Sequence, residues 1–301
     1  MESHEPVALA LDIGGTKVAA ALVRGAEVVA QVIAPTPAAA GPEAVVAAAV
    51  AAAKNALAQS DVGPAAVGAA CAGAVHGGLV RAISADLMPG WHGFPLVAAF
   101  ESAFGLPVTV VNDAQAAAYG EWRHGAGHGR DSLLFVTVST GVGGGLILGG
   151  RLWRGSTGLA GHIGHIAGGE VERLASGTAL ARRAAEAGYP GVDAREVIAE
   201  AVAGSEWAGK LVDEAACAVA RALADVKVLL DPELVVLGGG VGLNADFRKV
   251  VASAMPRRGD RLHIEVTAAG LGAAAGLVGA GALAAEMLNE VRGEGLGGAS
   301  R

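Results

Sequence analysis

The six residues Asp12-Ile13-Gly14-Gly15-Thr16-Lys17 set a carboxylate, two adjacent glycines, a hydroxyl and an ammonium side by side. Glycine lets backbone N–H groups approach an anion with no Cβ in the way, so such a turn can cradle phosphate oxygens. On that reading Gly14, Gly15 and Thr16 face a phosphate chain with Lys17 beside them, and Asp12 holds a hydrated Mg2+ against it. A tight hairpin favours Asp and Gly at the same places, so both readings stand on these six residues. A Walker loop does not fit: its lysine follows a longer loop and opens a helix, whereas Lys17 leads into strand-like apolar residues.

Further polar clusters interrupt an otherwise apolar chain. Asn112-Asp113 follows the apolar run 107–111 and precedes a helical stretch over 114–122. Asp113 can serve there as a general base for a hydroxyl attacking phosphorus, or as the N-cap of the helix. Ser139-Thr140-Gly141-Val142-Gly143-Gly144-Gly145 is a second glycine-rich turn, and Gly238-Gly239-Gly240 ends a buried strand. His162 and His165 could pair on a metal, but without nearby cysteines they make a weak site. Glu172 has the ordinary reading of a solvated or capping helix glutamate, and His165 that of a hydrogen-bonded loop histidine.

The elements that must position these residues are legible as periodicities. Residues 7–11, 18–23 and 28–33 predict three strands in an antiparallel meander, followed by an alanine-rich helix over 42–58 and strands at 66–71 and 107–111. From Leu133 the plan restarts with strand, glycine-rich turn and strand; helices follow over 177–187, 193–203 and 207–230, then a buried strand over 233–242. Two such units predict a duplicated α/β fold with a cleft between the halves. Their expected limits are 1–113, completed by a C-terminal helix over 272–292, and 114–271.

Bulk properties narrow the function. The chain has 301 residues, 52 % of them hydrophobic, 17 % charged and 4 % aromatic, with a net charge of −7. No basic cluster is denser than Arg182-Arg183 or Arg257-Arg258, which excludes a phosphate-tracking nucleic-acid surface. Cys71 and Cys217 are too few and too far apart for a disulfide framework, and the start of the chain lacks a signal-peptide apolar stretch; a cytoplasmic protein is expected. The uncharged run 266–285 is long enough to span a bilayer, but its glycines and alanines suit a closely packed buried helix instead.

Taken in order, Asp12 to Lys17, Asn112-Asp113, "STGVGGGL" at 139–146, "HIGH" at 162–165, "ERLASGTAL" at 172–180 and "DPELVVLGGGVG" at 231–242 resemble the ROK family of sugar kinases and related proteins. That family lies within the actin-like, ribonuclease-H-like ATPases. The resemblance implies two α/β domains, ATP with Mg2+, phosphoryl transfer to a hexose 6-hydroxyl, and a homodimer. By it, Asp12, Gly14, Gly15, Thr16 and Lys17 form the first phosphate loop, Thr140 and Gly141 belong to the second, and Gly238, Gly239 and Gly240 lie on the adenosine side. Asn112 meets a sugar hydroxyl and Asp113 is the base. His165 and Glu172 match sugar-binding positions, and Gly73 matches a glycine whose backbone approaches the sugar, although the usual preceding proline is Ala72.

Two departures bear on the substrate. The family's zinc-binding cysteine loop is deleted from "GHIGHIAGGEVERLASG", so no zinc is expected, and His162 replaces the family's sugar-binding glutamate. Asp86, in "SADLMPGW", stands where the family commonly has Asn near C3 of the sugar. A carboxylate in a desolvated pocket calls for a compensating cation, which points to an amino sugar: kanosamine (3-amino-3-deoxyglucose) first, then glucosamine. The alternatives are a glucokinase, an N-acetylmannosamine kinase and a non-catalytic sugar sensor. A sugar-responsive repressor needs a DNA-binding segment ahead of Asp12, where eleven residues stand.

Overall fold

The computed structural model of the protein describes residues 5–83, 89–255 and 264–291. β1 (Ala8–Ile13), β2 (Lys17–Arg24) and β3 (Glu27–Pro35) form an antiparallel meander. α1 (Pro42–Leu57), with proline in its first turn, leads to β4 (Ala66–Cys71), which lies parallel to β1. β5 (Ala74–His76), β6 (Leu79–Arg81) and β7 (His92–Phe94) make a small antiparallel sheet. α2 (Leu96–Phe104) follows, then β8 (Val108–Asn112), parallel to β4, and α3 (Asp113–His124).

The plan then repeats. β9 (Leu133–Val138), β10 (Val142–Leu148) and β11 (Arg151–Trp153) are a second meander. α4 (Ile166–Ala175), α5 (Gly177–Glu186), α6 (Ala194–Val202) and α7 (Glu206–Leu230) precede β12 (Leu234–Gly238), α8 (Gly239–Gly242), α9 (Ala245–Ala254) and β13 (Glu265–Ala268). α10 (Ala275–Val291) ends the described chain. The two main sheets have the orders β3-β2-β1-β4-β8 and β11-β10-β9-β12-β13. In each, a meander of three strands is extended on its first-strand side by two parallel strands, which is the ribonuclease-H-like plan used twice.

The chain divides into two compact units. One comprises residues up to His124, Arg154–Ala160 and the chain from Ala274 on; the other comprises Gly125–Trp153 and Gly161–Ala273. The limit expected at 113 is displaced to His124 because α3 packs on α10 through residues without side chains. A Cβ on Gly120 would stand 2.6 Å from the Ala275 carbonyl oxygen, and one on Gly279 would stand 1.7 Å from that of Ala116.

Strand alternation decides what each face of the first sheet receives. Leu9, Leu11 and Ile13 join Val45, Ala49 and Ala53 of α1 in one core cluster. On the opposite face Ala8 and Ala66 pack with Ala284 and Leu288 of α10. Gly68 of β4 takes the Ala280 carbonyl so closely that a Cβ would lie 1.9 Å from it. Asp12 falls on this small-residue face, its Oδ2 3.5 Å from where Gly276 would carry a Cβ. Most of the uncharged 266–285 run is therefore a strand, a turn and a closely packed helix. Among the described residues no helix is long and apolar enough to cross a membrane.

The strand expected over 233–242 stops at Gly238, because Gly239 takes φ 79° and turns the chain into α8. Overpacking sites like Gly279 cost about 3 kcal/mol when the facing atom is backbone and cannot move aside. Gly279→Ala is accordingly expected to lower the urea midpoint by an amount equal to about 3 kcal/mol. Gly240, with nothing within 4 Å of its absent Cβ, should accept alanine within about 0.5 kcal/mol.

Candidate functional site

In the first unit the 14–17 turn is a hairpin held from outside. The Gly14 N–H donates to the Lys17 carbonyl at 3.0 Å, the Thr36 hydroxyl donates to the Gly14 carbonyl at 2.7 Å, and the Thr36 N–H donates to the Thr16 carbonyl at 3.0 Å. Neither Gly14 nor Gly15 takes a positive φ, and a Cβ on Gly14 would come no closer than 3.4 Å to another atom. Chain geometry therefore does not demand glycine at Gly14. Gly14 and Gly15 are half-buried, with Thr16 and Lys17 exposed beside them. Thr36 carries no sequence signal for its latching role, since it lies beyond the meander with no motif around it.

The start of α3 resolves the two readings of Asp113. Asn112, buried at the end of β8, is the cap: its Oδ1 accepts the Ala114 and Gln115 N–H groups at 3.0 and 3.2 Å. Its Nδ2 donates to the Gly73 carbonyl at 3.0 Å. Asp113 sits one residue inside the helix, with Oδ1 accepting its neighbour's Ala114 N–H at 2.8 Å. Asn112 is thus heavily committed to the fold, with these bonds using one of its two amide hydrogens. Gly73 holds φ 109°, and a Cβ there would lie 2.6 Å from the Arg81 carbonyl oxygen, so this glycine is required by its turn.

Asp12 is a perturbed carboxylate. Burial first, then the Asp113 charge, push its pKa up to about 6, against a smaller opposing effect of Lys17. Burial and the same two carboxylates also raise the fully buried Cys71 thiol. Two carboxylates that repel each other in a desolvated place form a hard-oxygen donor set. That chemistry fits a divalent cation such as Mg2+, with Asp12 as the holding residue.

The second unit carries the other loop, and its bracing is denser. The Ser139 N–H donates to the Gly141 carbonyl at 2.8 Å. The first turn of α5 grips the same loop: Gly177 N–H donates to the Ser139 carbonyl at 2.6 Å, and the Thr178 hydroxyl to the Thr140 carbonyl at 2.9 Å. Ser176 caps α5 through the Ala179 N–H. "ASGTAL" is therefore structural support for the Thr140-Gly141 turn, a role its sequence did not reveal.

Glu172 is half-buried and tied to the loop rather than capping a helix. Its Oε2 accepts the Val142 N–H at 2.6 Å, and Cβ atoms on Gly141 or Gly164 would come within 3.1 or 2.8 Å of the carboxylate. Burial raises its pKa, opposed by the Val142 hydrogen bond and the nearby His165 charge. His162 and His165 have ring centroids 6.4 Å apart. Among the described residues no three His, Cys, Asp or Glu side chains cluster as metal ligands. Where the zinc loop is missing, Ala167, Gly168 and Gly169 make a left-handed turn, with φ of 52°, 64° and 82°.

The three strand-end glycines differ in kind. A Cβ on Gly238 would strike the Phe135 ring at 2.8 Å, and one on Gly239 the Val138 carbonyl at 2.4 Å, whereas Gly240 faces open space. Packing and turn geometry account for the first two, and Gly240 alone of the three leaves room for a ligand. Asp86 lies outside the described residues.

Residues 8–287 match the model of the ROK family, and the chain belongs to that family. It is 42 % identical over 283 residues to the bifunctional enzyme NanE/NanK of Brucella melitensis, covering 92 % of this chain and 54 % of that protein. The chain thus spans about half the length of that relative. An N-acetylmannosamine kinase of Citrobacter koseri is 40 % identical over 289 residues, covering 92 % of this chain and 98 % of the relative. A ROK family glucokinase from Streptomyces griseus, solved with glucose and AMPPNP, aligns with a TM-score of 0.79 at 35 % identity, over 92 % of this chain and 99 % of that one.

A carboxyl whose folded pKa is raised binds more protons in the folded chain than in the unfolded one, so stability falls as pH rises between about 4 and 6. For Asp12 the ionisation penalty amounts to about 3 kcal/mol at neutral pH. Asp12→Asn should therefore melt higher than the wild type at pH 7.5 and level with it near pH 4. Equal melting temperatures at pH 7.5 would contradict the burial of this carboxylate.

Proposed function

We propose that the protein is an ATP-dependent sugar kinase that phosphorylates the 6-hydroxyl of N-acetylmannosamine. The observation that carries the phosphotransfer reading is that Asn112, not Asp113, caps α3, with Asp113 in the first turn and its charge acting on Asp12. A sugar alcohol is a poor nucleophile until its proton has somewhere to go. As the hydroxyl oxygen bonds to the γ-phosphorus and the bond to ADP breaks, the Asp113 carboxylate takes that proton late in the transition state. Backbone amides of the 14–17 turn and of the Thr140-Gly141 turn are the donors offered to phosphate oxygens. A Mg2+ held by Asp12 would supply charge neutralisation along the phosphate chain.

The identity of the sugar rests on the relatives. Two that cover 92 % of this chain are named for NanE/NanK and for N-acetylmannosamine kinase, at 42 % and 40 % identity. On that ground N-acetylmannosamine is placed ahead of kanosamine, whose case depended on Asp86 and on the glutamate replaced by His162. Glucose is the second reading, supported by the Streptomyces griseus glucokinase at 35 % identity. His165 and Glu172 are assigned to sugar hydroxyls, with Glu172 acting from the position in which it braces the loop.

The test is ADP release on N-acetylmannosamine, glucose, glucosamine and kanosamine, with and without Mg2+. The highest kcat/KM is expected on N-acetylmannosamine, with activity lost on chelation. A preference for glucose or for kanosamine would replace the sugar assignment while keeping the kinase. Asp113→Ala should reduce kcat by about 10²-fold or more with sugar KM little changed. Retention of kcat within tenfold would remove Asp113 as the base.

A further inference from the structure

Residues 154–160 are an excursion. The chain leaves the second unit after Trp153, joins the first unit from Arg154 to Ala160, and returns at Gly161. Three features hold this strap to the first unit. Arg154 faces Glu286 and Glu290 of α10 and Tyr119 of α3. Gly158, at φ 82°, lies so close to β5 that a Cβ would stand 2.2 Å from the Val75 carbonyl oxygen. Gln115, two residues past Asp113 and with no solvent exposure, donates from Nε2 to the carbonyls of both Gly158 and Ala160, each at 3.1 Å. The strap is also closed on itself by the Ala160 N–H donating to the Arg154 carbonyl at 3.3 Å.

Orientation of the Gln115 amide is fixed by its neighbours, since two carbonyl oxygens can only accept and must face the NH2. Its Oε1 is thereby left buried with no hydrogen-bond partner among the described residues. An amide with one end unpaired is a poor device for stability alone, because the orphaned acceptor offsets much of what the two donors contribute. Its value lies in geometry. The strap feeds directly into Gly161, whose own seat is tight: a Cβ there would lie 2.8 Å from the Gly145 Cα at the end of the second glycine-rich turn. His162 follows at once, and His165 three residues later.

We propose that Gln115 is a positioning residue for sugar binding, fixing residues 158–160 against the helix that carries Asp113 within the first unit. The inference rests on the kinase reading for its functional half, while the clamp itself is testable without activity. Gln115→Leu keeps the volume and removes both donors; Gln115→Glu keeps the shape and sets an oxygen against the two carbonyls.

Hydrogen exchange followed by mass spectrometry is the activity-independent readout. In Gln115→Leu, and in Gln115→Glu should the leucine variant fail to fold, amides of 155–161 should exchange at least tenfold faster while those of β1 and β4 keep their protection. In the same variants the sugar KM should rise about tenfold with the ATP KM within twofold, and Gln115→Glu should regain sugar affinity as pH falls and its carboxyl reprotonates. Unchanged exchange over 155–161 overturns the clamp. Faster exchange with an unchanged sugar KM overturns the positioning role and leaves a purely structural contact. If the wild type phosphorylates no sugar, the kinase reading fails by itself, and with it the functional half of this inference, while the exchange result still decides the clamp.

Discussion

The near-contact of α10 with the first sheet is the constraint on which the first unit depends. Ala8, Ala66 and Gly68 offer that helix a floor without bulk, and Gly120 and Gly279 let α3 close on its other side. A helix lying this low excludes water from the small-residue face of β1, and Asp12 is the carboxylate at the end of that face. Its raised pKa follows: the charge has lost its solvent, and the nearest comparable group, Asp113, repels it. Tight packing and a reactive carboxylate are thus one feature seen from two distances. Any side chain that lifts α10 would rehydrate Asp12.

The same strand plan is used twice with different chemistry at the turn between its first two strands. In the first unit the turn is latched by Thr36. In the second the turn is gripped by the first turn of α5 and by the Glu172 carboxylate, which accepts an N–H thirty residues away in sequence. Where the zinc loop is deleted, a left-handed turn at Ala167, Gly168 and Gly169 leads from the histidine segment into the regular part of α4.

The strand meanders, the alanine-rich helix and the long α7 were legible in the sequence because periodicity and glycine punctuation are local signals. So was the identity of Asp12, Asn112 and Asp113 as polar residues placed at strand ends. Less legible were α2, α9 and the three short strands β5 to β7, whose apolar spacing is too brief to separate helix from strand. Which of two neighbouring polar residues caps α3 was not legible either. The cap belongs to Asn112 and not Asp113, and the sequence could not distinguish them because both residue types cap helices equally well.

By itself the sequence determined the duplicated α/β plan and the family, and it singled out the polar groups proposed for phosphate and proton transfer. These depend on short-range pattern, which each segment carries alone. Tertiary structure decided what each group is free to do. It committed Asn112 to a cap and to Gly73, turned Glu172 from a surface residue into a loop brace, made Gly238 and Gly239 packing necessities while leaving Gly240 open, and buried Gln115 under a strap more than forty residues away. Those assignments arise from contacts between segments distant in the chain and from the exclusion of water around them. Neither quantity is written in any local run of residues.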